Sequence, residues 1–468
     1  MTDFAVCRSI DVSRSVYSNL MAWIPGSNDL VTTACEPGAR SGLLLVSSAG
    51  GTRWLTPPPA KADSGDMQPA FSPDGRSIAF ARRVSAITGD IYVAPFRAES
   101  RTLGEPRRIT DLSRLTGGMT WLPDGESLVF SAGGSVTQHL FRVSIDSGAA
   151  PEPLHWAGSA ALQPSVSGSG PFVFTRRTSD ANIWRRELPV KTGQTPVAVR
   201  LIASTALDTG GEYSPDGSTI AFASTRSGTH QIWTCASEGS RCLQLTRQFT
   251  GALVSSPRWS PDGRLVAFNS NHTGNYDVYV VKASEKQATH LTDNTSDDSQ
   301  PSFSPDGTHI YFTSTRSGTA QIWRMAADGR SAVQITSSGG LRGVPSADGE
   351  WVYYTGLSKE GGRMATLWKM PADRNGPSVR LIDAIYPLAW AITGTGVWYY
   401  SAGDPETGLR LRDFVTGRDL VKTSMPNPRP PSDTRISASP DGRFLLYAQE
   451  DNPGSDLMMV QNAQRMLP

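Results

Sequence analysis

Short runs of apolar residues recur along the chain, and each run follows a turn signal. The signal is an Asp-Gly pair, usually within Ser-Pro-Asp-Gly, and the copies at 216, 262, 306 and 348 are 46, 44 and 42 residues apart. The aspartates of this series are Asp74, Asp124, Asp216, Asp262, Asp306, Asp348 and Asp441. The residues four and six positions after each Asp are apolar, as at Ile220 and Phe222. A short apolar run between turn residues predicts a β-strand that is buried on both faces.

Each repeat has the residues for four strands. Pro presets φ, Asp can accept hydrogen bonds from the turn backbone, and Gly accepts positive φ, so Ser-Pro-Asp-Gly predicts a tight turn between the first two strands. A third strand is centred on a pair such as Ile232-Trp233, and a fourth ends in an apolar-Thr pair such as Leu245-Thr246. Four short antiparallel strands in about 46 residues are typical of one blade of a β-propeller.

The repeat extends over almost the whole chain. Residues 224–233 and 314–323 differ at a single position, and weaker turns at Ser169-Gly170, Thr395-Gly396 and Trp23–Gly26 fill the gaps in the series. The count reaches ten units. Because no stretch sustains a 3.6-residue periodicity, the prediction is an all-β protein with ten four-stranded blades and very little helix.

The motif series resembles the TolB-like, WD-like β-propeller repeat over roughly residues 15–462. Details at 180–184, 255–263 and 454–460 resemble the propeller region of bacterial membrane sensors that carry a winged-helix (CadC-type) domain or a kinase. The residues at the front of this sequence show no pattern typical of a winged helix, a kinase or a membrane segment, so we expect none of their activities. The resemblance implies a sensor or scaffold module of an envelope signalling system.

Ten units can close as one large ring or as two tandem propellers, and we favour the tandem arrangement. The long Pro-containing link at 188–197 is where the chain can leave one ring. The expected domains are residues 1–197, with four blades of an incomplete or fragment ring, and residues 198–468, a six-bladed TolB-like propeller. The pattern of Phe4–Ile10 predicts an additional strand, which can supply the fourth strand that the last unit lacks.

Composition and charge describe a folded protein without a nucleic-acid partner. Apolar residues make up 38% of the 468 residues, and the 45 glycines raise the fraction to about 48%, which is in the globular range. The net charge is +1, whereas nucleic-acid binding needs a basic excess. No signal peptide or run of 18 apolar residues is present. We therefore expect no membrane insertion and a cytoplasmic location, or a periplasmic one if the chain is part of a membrane-anchored protein.

The sequence offers no catalytic constellation. A Gly-x-Ser-x-Gly elbow, a phosphate loop and a His-x-x-x-His pair are all absent, so we expect neither a catalytic residue nor a metal or other cofactor. Cys235 and Cys242 flank a Gly-containing turn and can face each other across two strands. With four cysteines in the chain, they are either a disulfide or two small residues on adjacent strands.

The remaining candidate for function is the surface where the fourth-to-first and second-to-third strand connections gather. Asp293, Asp297 and Asp298 form an acidic cluster there that can meet a basic partner or a cation, or is an ordinary solvated loop. Arg226 and Arg316 recur at equivalent positions, which favours a structural role such as an inter-blade ion pair or stacking on Trp.

Variable loops on a rigid scaffold are where binding usually resides. The function predicted is therefore a non-enzymatic propeller that binds a protein or peptide. The alternatives are a hydrolase or lyase with a site at the channel mouth, and a remnant of a larger winged-helix or kinase receptor.

Overall fold

The computed structural model describes residues 21–36, 40–60, 64–84, 89–112, 115–133, 138–146, 148–158, 160–166, 171–178, 180–188, 197–250, 252–357, 365–402, 408–423, 435–451 and 454–461. These residues form β-strands and connecting turns, with one short 3₁₀ turn at His155–Ala157. No helix in this part of the chain has the length and apolar composition that a membrane crossing requires. Phe4–Ile10 lies outside the described residues.

The strands are short and follow one another closely. Up to Thr178 they are β1 (Met21–Trp23), β2 (Leu30–Glu36), β3 (Arg40–Val46), β4 (Thr52–Thr56), β5 (Gly65–Phe71), β6 (Ser77–Arg83), β7 (Gly89–Arg97), β8 (Thr102–Leu103), β9 (Arg107–Arg108), β10 (Leu115–Trp121), β11 (Ser127–Gly133), β12 (Gln138–Ser144), β13 (Glu152–Pro153), β14 (Ala161–Val166) and β15 (Phe172–Thr178). From Ala181 to Gln334 they are β16 (Ala181–Glu187), β17 (Ala198–Ile202), β18 (Asp208–Tyr213), β19 (Thr219–Ser224), β20 (Gln231–Ala236), β21 (Leu243–Gln244), β22 (Val254–Trp259), β23 (Leu265–Ser270), β24 (Asp277–Lys282), β25 (Ala288–His290), β26 (Asp298–Phe303), β27 (His309–Ser314), β28 (Gln321–Ala326) and β29 (Val333–Gln334). The remainder are β30 (Leu341–Pro345), β31 (Trp351–Leu357), β32 (Ala365–Pro371), β33 (Val379–Ile392), β34 (Gly396–Ser401), β35 (Leu409–Asp413), β36 (Asp419–Thr423), β37 (Ile436–Ala438), β38 (Phe444–Glu450) and β39 (Gly454–Val460).

The chain divides into two compact units. Unit 1 comprises Met1–Thr178 and Gly454–Pro468, and unit 2 comprises Ser179–Pro453. Four-stranded antiparallel sheets recur in both, in the order that the repeat predicts. The all-β propeller fold predicted from the sequence is confirmed.

Unit 2 is a ring of blades whose last strands meet its first. Strands β18–β21, β22–β25 and β26–β29 form one blade each, and the long β33 serves as the outer strand of one blade and the inner strand of the next. The closing sheet has the order β17-β16-β38-β37, so it joins both ends of the unit. The inner strands β37, β18, β22, β26 and β30 neighbour each other in this order, and β33 neighbours β37. A hydrogen bond from Arg342 of β30 to the Leu388 carbonyl of β33 joins the remaining two inner strands, which makes six blades over the described residues.

Unit 1 has four sheets of the same kind over its described residues. Strands β1–β4 form the first, β5–β9 the second and β10–β13 the third, and a single parallel bridge between Ser41 and Gly65 joins the first two. The fourth sheet has the order β14-β15-β39. Its third strand therefore comes from the end of the chain.

Strands β16 and β39 do not pair with the strands that precede them in the chain. If consecutive strands of each repeat paired, β16 would pair with β15 in one blade and β39 would pair with β38 in another. Instead β15 pairs with β39, and β38 pairs with β16. The domain limits predicted from the sequence, 1–197 and 198–468, stay a prediction. The strand pairing places β16 in unit 2 beside β17, and unit 2 therefore begins at Ser179.

Hydrophobic cores lie between adjacent blades. The aromatic residue six positions after each turn Asp is fully buried at Phe80, Phe130, Phe222, Phe268 and Phe312. In one such core Phe268 packs with Phe249, Val254 and Tyr279. Burial of a Phe side chain stabilises by about 1.5–3 kcal/mol, so the repeated apolar positions supply much of the fold's stability.

Each Ser-Pro-Asp-Gly turn is held by the same hydrogen bonds. In the turn at 304–307, the Ser304 hydroxyl donates to Asp306 Oδ1 at 2.5 Å, and the Thr308 amide donates to the same oxygen at 3.0 Å. These bonds favour the ionised carboxylate and lower the pKa of Asp306 to about 2. The turn aspartates are therefore structural, as the sequence predicts.

The apolar-Thr pair at the end of each repeat connects the outer strand to the third strand. Thr336 Oγ1 accepts a hydrogen bond from the Ile322 amide at 2.9 Å and donates to Gln321 Oε1 at 2.8 Å, and all three groups are buried. Thr246 makes the same two bonds with Ile232 and Gln231. The threonine thus ties down an outer strand that is only two residues long in these blades.

We expect Thr336→Val to lower the free energy of unfolding by about 1–3 kcal/mol, because the buried Ile322 amide loses its partner. The Gln321 amide oxygen loses one of its two donors and keeps the Gly339 amide. Urea denaturation measures the change. Thr295→Val, at an exposed threonine, is the control and should have little effect. Equal stability of the two variants would contradict the role assigned to Thr336.

We expect the stability of the protein to fall as the pH is lowered from 6.5 to 4, in part through His230. This side chain is 6% exposed, and burial lowers its pKa to about 4. The unfolded chain therefore binds a proton in this window that the folded chain does not, which costs up to about 3 kcal/mol of stability at pH 4. His230→Ala, which creates the residue found at the matching position 320, should flatten the dependence in acid unfolding measurements. The exposed His155→Ala should leave it unchanged.

Candidate functional site

A cavity of about 790 Å³ lies where the inner strands of unit 2 end. We call it the central cavity. All six inner strands contribute to its lining, which places it on the axis of the ring. The lining residues from these strands are Glu212, Arg258, Trp259, Ser302, Phe303, Arg342, Val344, Pro345, Trp390, Ala391, Ile392, Ile436, Ser437 and Ala438.

A β-bulge in the inner strands sets the direction of these residues. The pairing register shifts between Ser255 and Arg258 in β22 and between Leu341 and Val344 in β30. At the bulges Ser256 and Arg342 have φ of 67° and 52°, a region that non-glycine residues rarely occupy. The Arg342 amide donates to Thr313 Oγ1 of the preceding blade at 3.0 Å, which helps to hold this conformation. Bulges commonly re-aim side chains near functional sites.

The Asp-Gly turns form the rim of the cavity, and one of them has Ala347 in place of the usual proline. Gly217, Gly263, Gly307 and Gly349 all have φ between +70° and +75°, so only a residue without Cβ fits the turn without strain. A Cβ at any of these positions would lie 3.7–3.9 Å from the proline of the preceding turn. Neighbouring turns are therefore in packing distance of each other around the rim, and prolines such as Pro261 and Pro305 face the opening.

Aromatic and cationic side chains are close together in the cavity wall. Arg258 forms an ion pair with Glu212 of the preceding blade, and the Trp259 indole donates to the Glu212 carbonyl at 3.2 Å. Lys369 Nζ lies 4.0 Å from the centre of the Trp351 ring. A cation over the face of a Trp ring is attracted by its quadrupole.

Two buried arginines connect the blades near the base of the cavity. The Arg342 guanidinium lies 4.6 Å from the Trp390 ring centre and donates to the carbonyls of Leu388 and Ile436. Arg435, beside the closing strand, donates to the Ser256 hydroxyl. These bonds link inner strands that are far apart in the sequence.

At neutral pH the Asp348 carboxyl of the cavity is ionised and the Tyr353 phenol is neutral. The Ser346 hydroxyl donates to Asp348 and lowers the pKa of that carboxyl. Burial raises the pKa of the Tyr353 phenol, which stays neutral. Among the described residues, no three His, Cys, Asp or Glu side chains are grouped to hold a metal ion. The wall therefore offers ionic, aromatic and hydrogen-bonding contacts.

The recurring arginines at the other ends of the strands form structural contacts. Arg226 pairs with Asp208 at 2.7 Å and Arg316 with Asp298 at 2.6 Å, and both aspartates are fully buried. Each pair lies within one blade, not between two blades. The Arg316 guanidinium also stacks 4.8 Å from the Trp323 ring centre. As binding residues, Arg226, Arg316 and Asp298 stay a prediction.

The other two aspartates of the predicted acidic cluster differ from Asp298. Asp297 is half-buried and its carboxylate accepts a hydrogen bond from the Tyr276 amide at 3.0 Å. Asp293 is exposed. Because β26 begins at Asp298 and ends at Phe303, the cluster lies at the opposite end of this strand from the central cavity. A binding role for Asp293 and Asp297 likewise stays a prediction.

Cys235 and Cys242 are joined as a disulfide. Cys235 is buried at the end of β20 and Cys242 precedes β21, so the bond links the third and outer strands of one blade. This is the disulfide alternative of the two that the sequence leaves open.

Sequence reasoning missed most of the central cavity. Trp259 and Phe303 carried a signal, as aromatics three residues before the turn Asp. Trp351 does not recur between the repeats, so periodicity gives it no prominence. Arg342 has an equivalent in Arg435, since each lies six residues before a turn Asp. Lys369 follows the third-strand tryptophan, as Arg185 and Arg324 do in other blades. The cavity residues come together because the ring closes.

Comparison with known proteins supports the fold. Residues 246–382 match the family model of the TolB beta propeller domain, so this part of the chain is a TolB-like propeller region. It contains β22–β32, which supply three of the six inner strands and much of the cavity wall.

Solved structures with low identity are also similar. TolB from Acinetobacter baumannii is 15% identical, with a TM-score of 0.39 over 80% of this chain and 79% of that one. A chain of a nidogen/laminin complex is 13% identical, with a TM-score of 0.42 over 52% and 94%. Puromycin hydrolase is 14% identical, with a TM-score of 0.31 over 83% of this chain and 58% of the hydrolase. The fold assignment rests on the strand pairing and the family match.

Proposed function

We propose that this chain is a non-enzymatic β-propeller that binds a protein or peptide at the central cavity. The observation that carries the proposal is the composition of the cavity wall, where Trp259, Trp351 and Phe303 lie among Arg258 and Lys369. Aromatic residues and arginine are enriched in the energetically important centres of protein interfaces. A concave surface on a rigid scaffold provides such a partner with a preformed site.

The cavity is better suited to binding than to catalysis. Arg258 is engaged by Glu212, and Asp348 is engaged by its own turn. The titratable wall residues thus act mainly as charges and hydrogen-bond partners. A TolB-like propeller is a scaffold for recognition, and the similarity to a hydrolase is too distant to support a catalytic site.

The biological setting that we propose is the sensor or scaffold module of a bacterial envelope signalling system. The support is the resemblance to winged-helix and kinase-linked sensors at 180–184, 255–263 and 454–460. A remnant of such a receptor is the second possibility for the same resemblance.

Selection of random twelve-residue peptides displayed on phage tests binding to the full-length protein. We expect enriched peptides whose affinity falls at least about tenfold in Trp351→Ala, because this side chain is part of the cavity wall. Trp23→Ala removes an exposed tryptophan of unit 1 and is the matched control. Thermal melting confirms that both variants are folded.

Two results would contradict the proposal. If the selected peptides bind the Asp293→Asn variant more weakly but bind Trp351→Ala normally, the binding site is at the acidic cluster and not in the central cavity. Turnover of an ester or peptide substrate, or a metal ion bound in stoichiometric amount, would favour the alternative of a hydrolase or lyase.

A further inference from the structure

We propose that the occupant of the central cavity is an extended peptide segment with acidic groups at one end, which lie in the cavity beside Lys369. The rest of the segment follows a groove over Trp259. This inference rests on the proposed function and specifies the chemistry of its partner.

The charge of the cavity wall favours a carboxylate. The wall has three cationic residues, Arg258, Arg342 and Lys369, and two carboxylates, Glu212 and Asp348. Glu212 is paired with Arg258, and Asp348 accepts the hydroxyl of its own turn. An added carboxylate therefore meets a net positive wall.

Lys369 is the wall cation that such a ligand can approach, because Arg342 is buried and Arg258 is paired with Glu212. Among the described residues its ammonium contacts the Trp351 ring and is in no ion pair. A carboxylate can approach it without displacing an existing acidic partner, and a site that is partly shielded from water strengthens the attraction.

A second cavity extends the binding surface. This groove of about 460 Å³ lies between the turns at 214–219 and 261–263, and it shares Trp259 and Pro261 with the central cavity. Two adjoining cavities with a shared wall suit an extended chain better than a compact small molecule. Hydroxyls of Ser218 and Thr234 in the groove can bond a peptide backbone.

The charge of the groove gives the ligand a direction. The groove wall contains the carboxylates of Asp216 and Asp262. Hydrogen bonds from Ser214 and Ser260 lower the pKa of these two groups, so they are ionised at neutral pH. These two carboxylates repel acidic residues of a ligand. The acidic end of the peptide therefore binds near Lys369, and uncharged polar residues or proline occupy the groove.

The test is a selection from a random ten-residue peptide library on the full-length protein, with the charge of the enriched peptides as the readout. We expect an excess of Asp and Glu grouped at one end. Lys369→Glu should weaken the selected peptides at least about tenfold and, in a fresh selection, remove the acidic excess. Lys282→Glu, at an exposed lysine of β24, should change neither result.

If Lys369→Glu destabilises the protein, Lys369→Gln replaces it as the test variant. Melting curves of each variant check that it is folded. Raising the salt concentration should weaken the acidic peptides, since screening acts on the charge contact. Enriched peptides that depend on Trp351 but show no acidic excess, or no sensitivity to Lys369, would overturn this inference and leave the proposed function standing. Enrichment of no peptide would overturn both.

Discussion

Pairing between β16 and β38 is the contact on which the rest of unit 2 depends. It joins seven residue pairs from Ala181–Glu450 to Glu187–Phe444 in antiparallel register. Asn182 and Trp184 both donate to the Asp451 carboxylate, at 2.7 and 3.0 Å, and the buried Asn182 also accepts the Ser204 amide. Without this contact the inner strands at the two ends of the unit would not be neighbours, and the central cavity would have no continuous wall.

The most repetitive residues of the chain are concerned with structure. Turn aspartates, apolar-Thr pairs and the arginines at 226 and 316 all have local partners that satisfy buried or half-buried polar groups. Most buried polar groups in folded proteins have such partners. In the central cavity, Trp351 is not part of the repeat, and Lys369 differs from the arginines at the matching positions 185 and 324. Function in this fold is therefore to be sought in what differs between the blades.

Much of the fold follows from local chemistry, and the sequence is sufficient to predict it. Ser-Pro-Asp-Gly gives a turn wherever it occurs, and apolar residues four and six positions later give a buried strand. The partner exchange of β16 and β39 could not be predicted in the same way, because both strands carry an ordinary repeat pattern and the choice is made by contacts more than 250 residues apart. Long-range pairing leaves no signal in a local window.

The candidate site was less predictable than the fold for a related reason. A loop with three aspartates stands out in a sequence, whereas a lysine over a tryptophan does not. In the structure Asp298 is buried against Arg316, and Lys369 lines a cavity to which all six inner strands also contribute. The acidic cluster and the cavity are at opposite ends of the strands, so binding experiments can distinguish them.

Disulfide trapping tests the closure of unit 2 most directly. Glu187 and Phe444 face each other at the end of the β16–β38 pair, next to the hydrogen bond from the Leu188 amide to the Arg443 carbonyl. This makes them a non-hydrogen-bonded pair with Cα atoms about 4.5 Å apart, which suits a disulfide. The account predicts that Glu187→Cys with Phe444→Cys forms a crosslink under mild oxidation, identified by peptide mapping. A crosslink of Glu187→Cys with Phe172→Cys, the neighbour expected if β16 followed β15 in one blade, would contradict it.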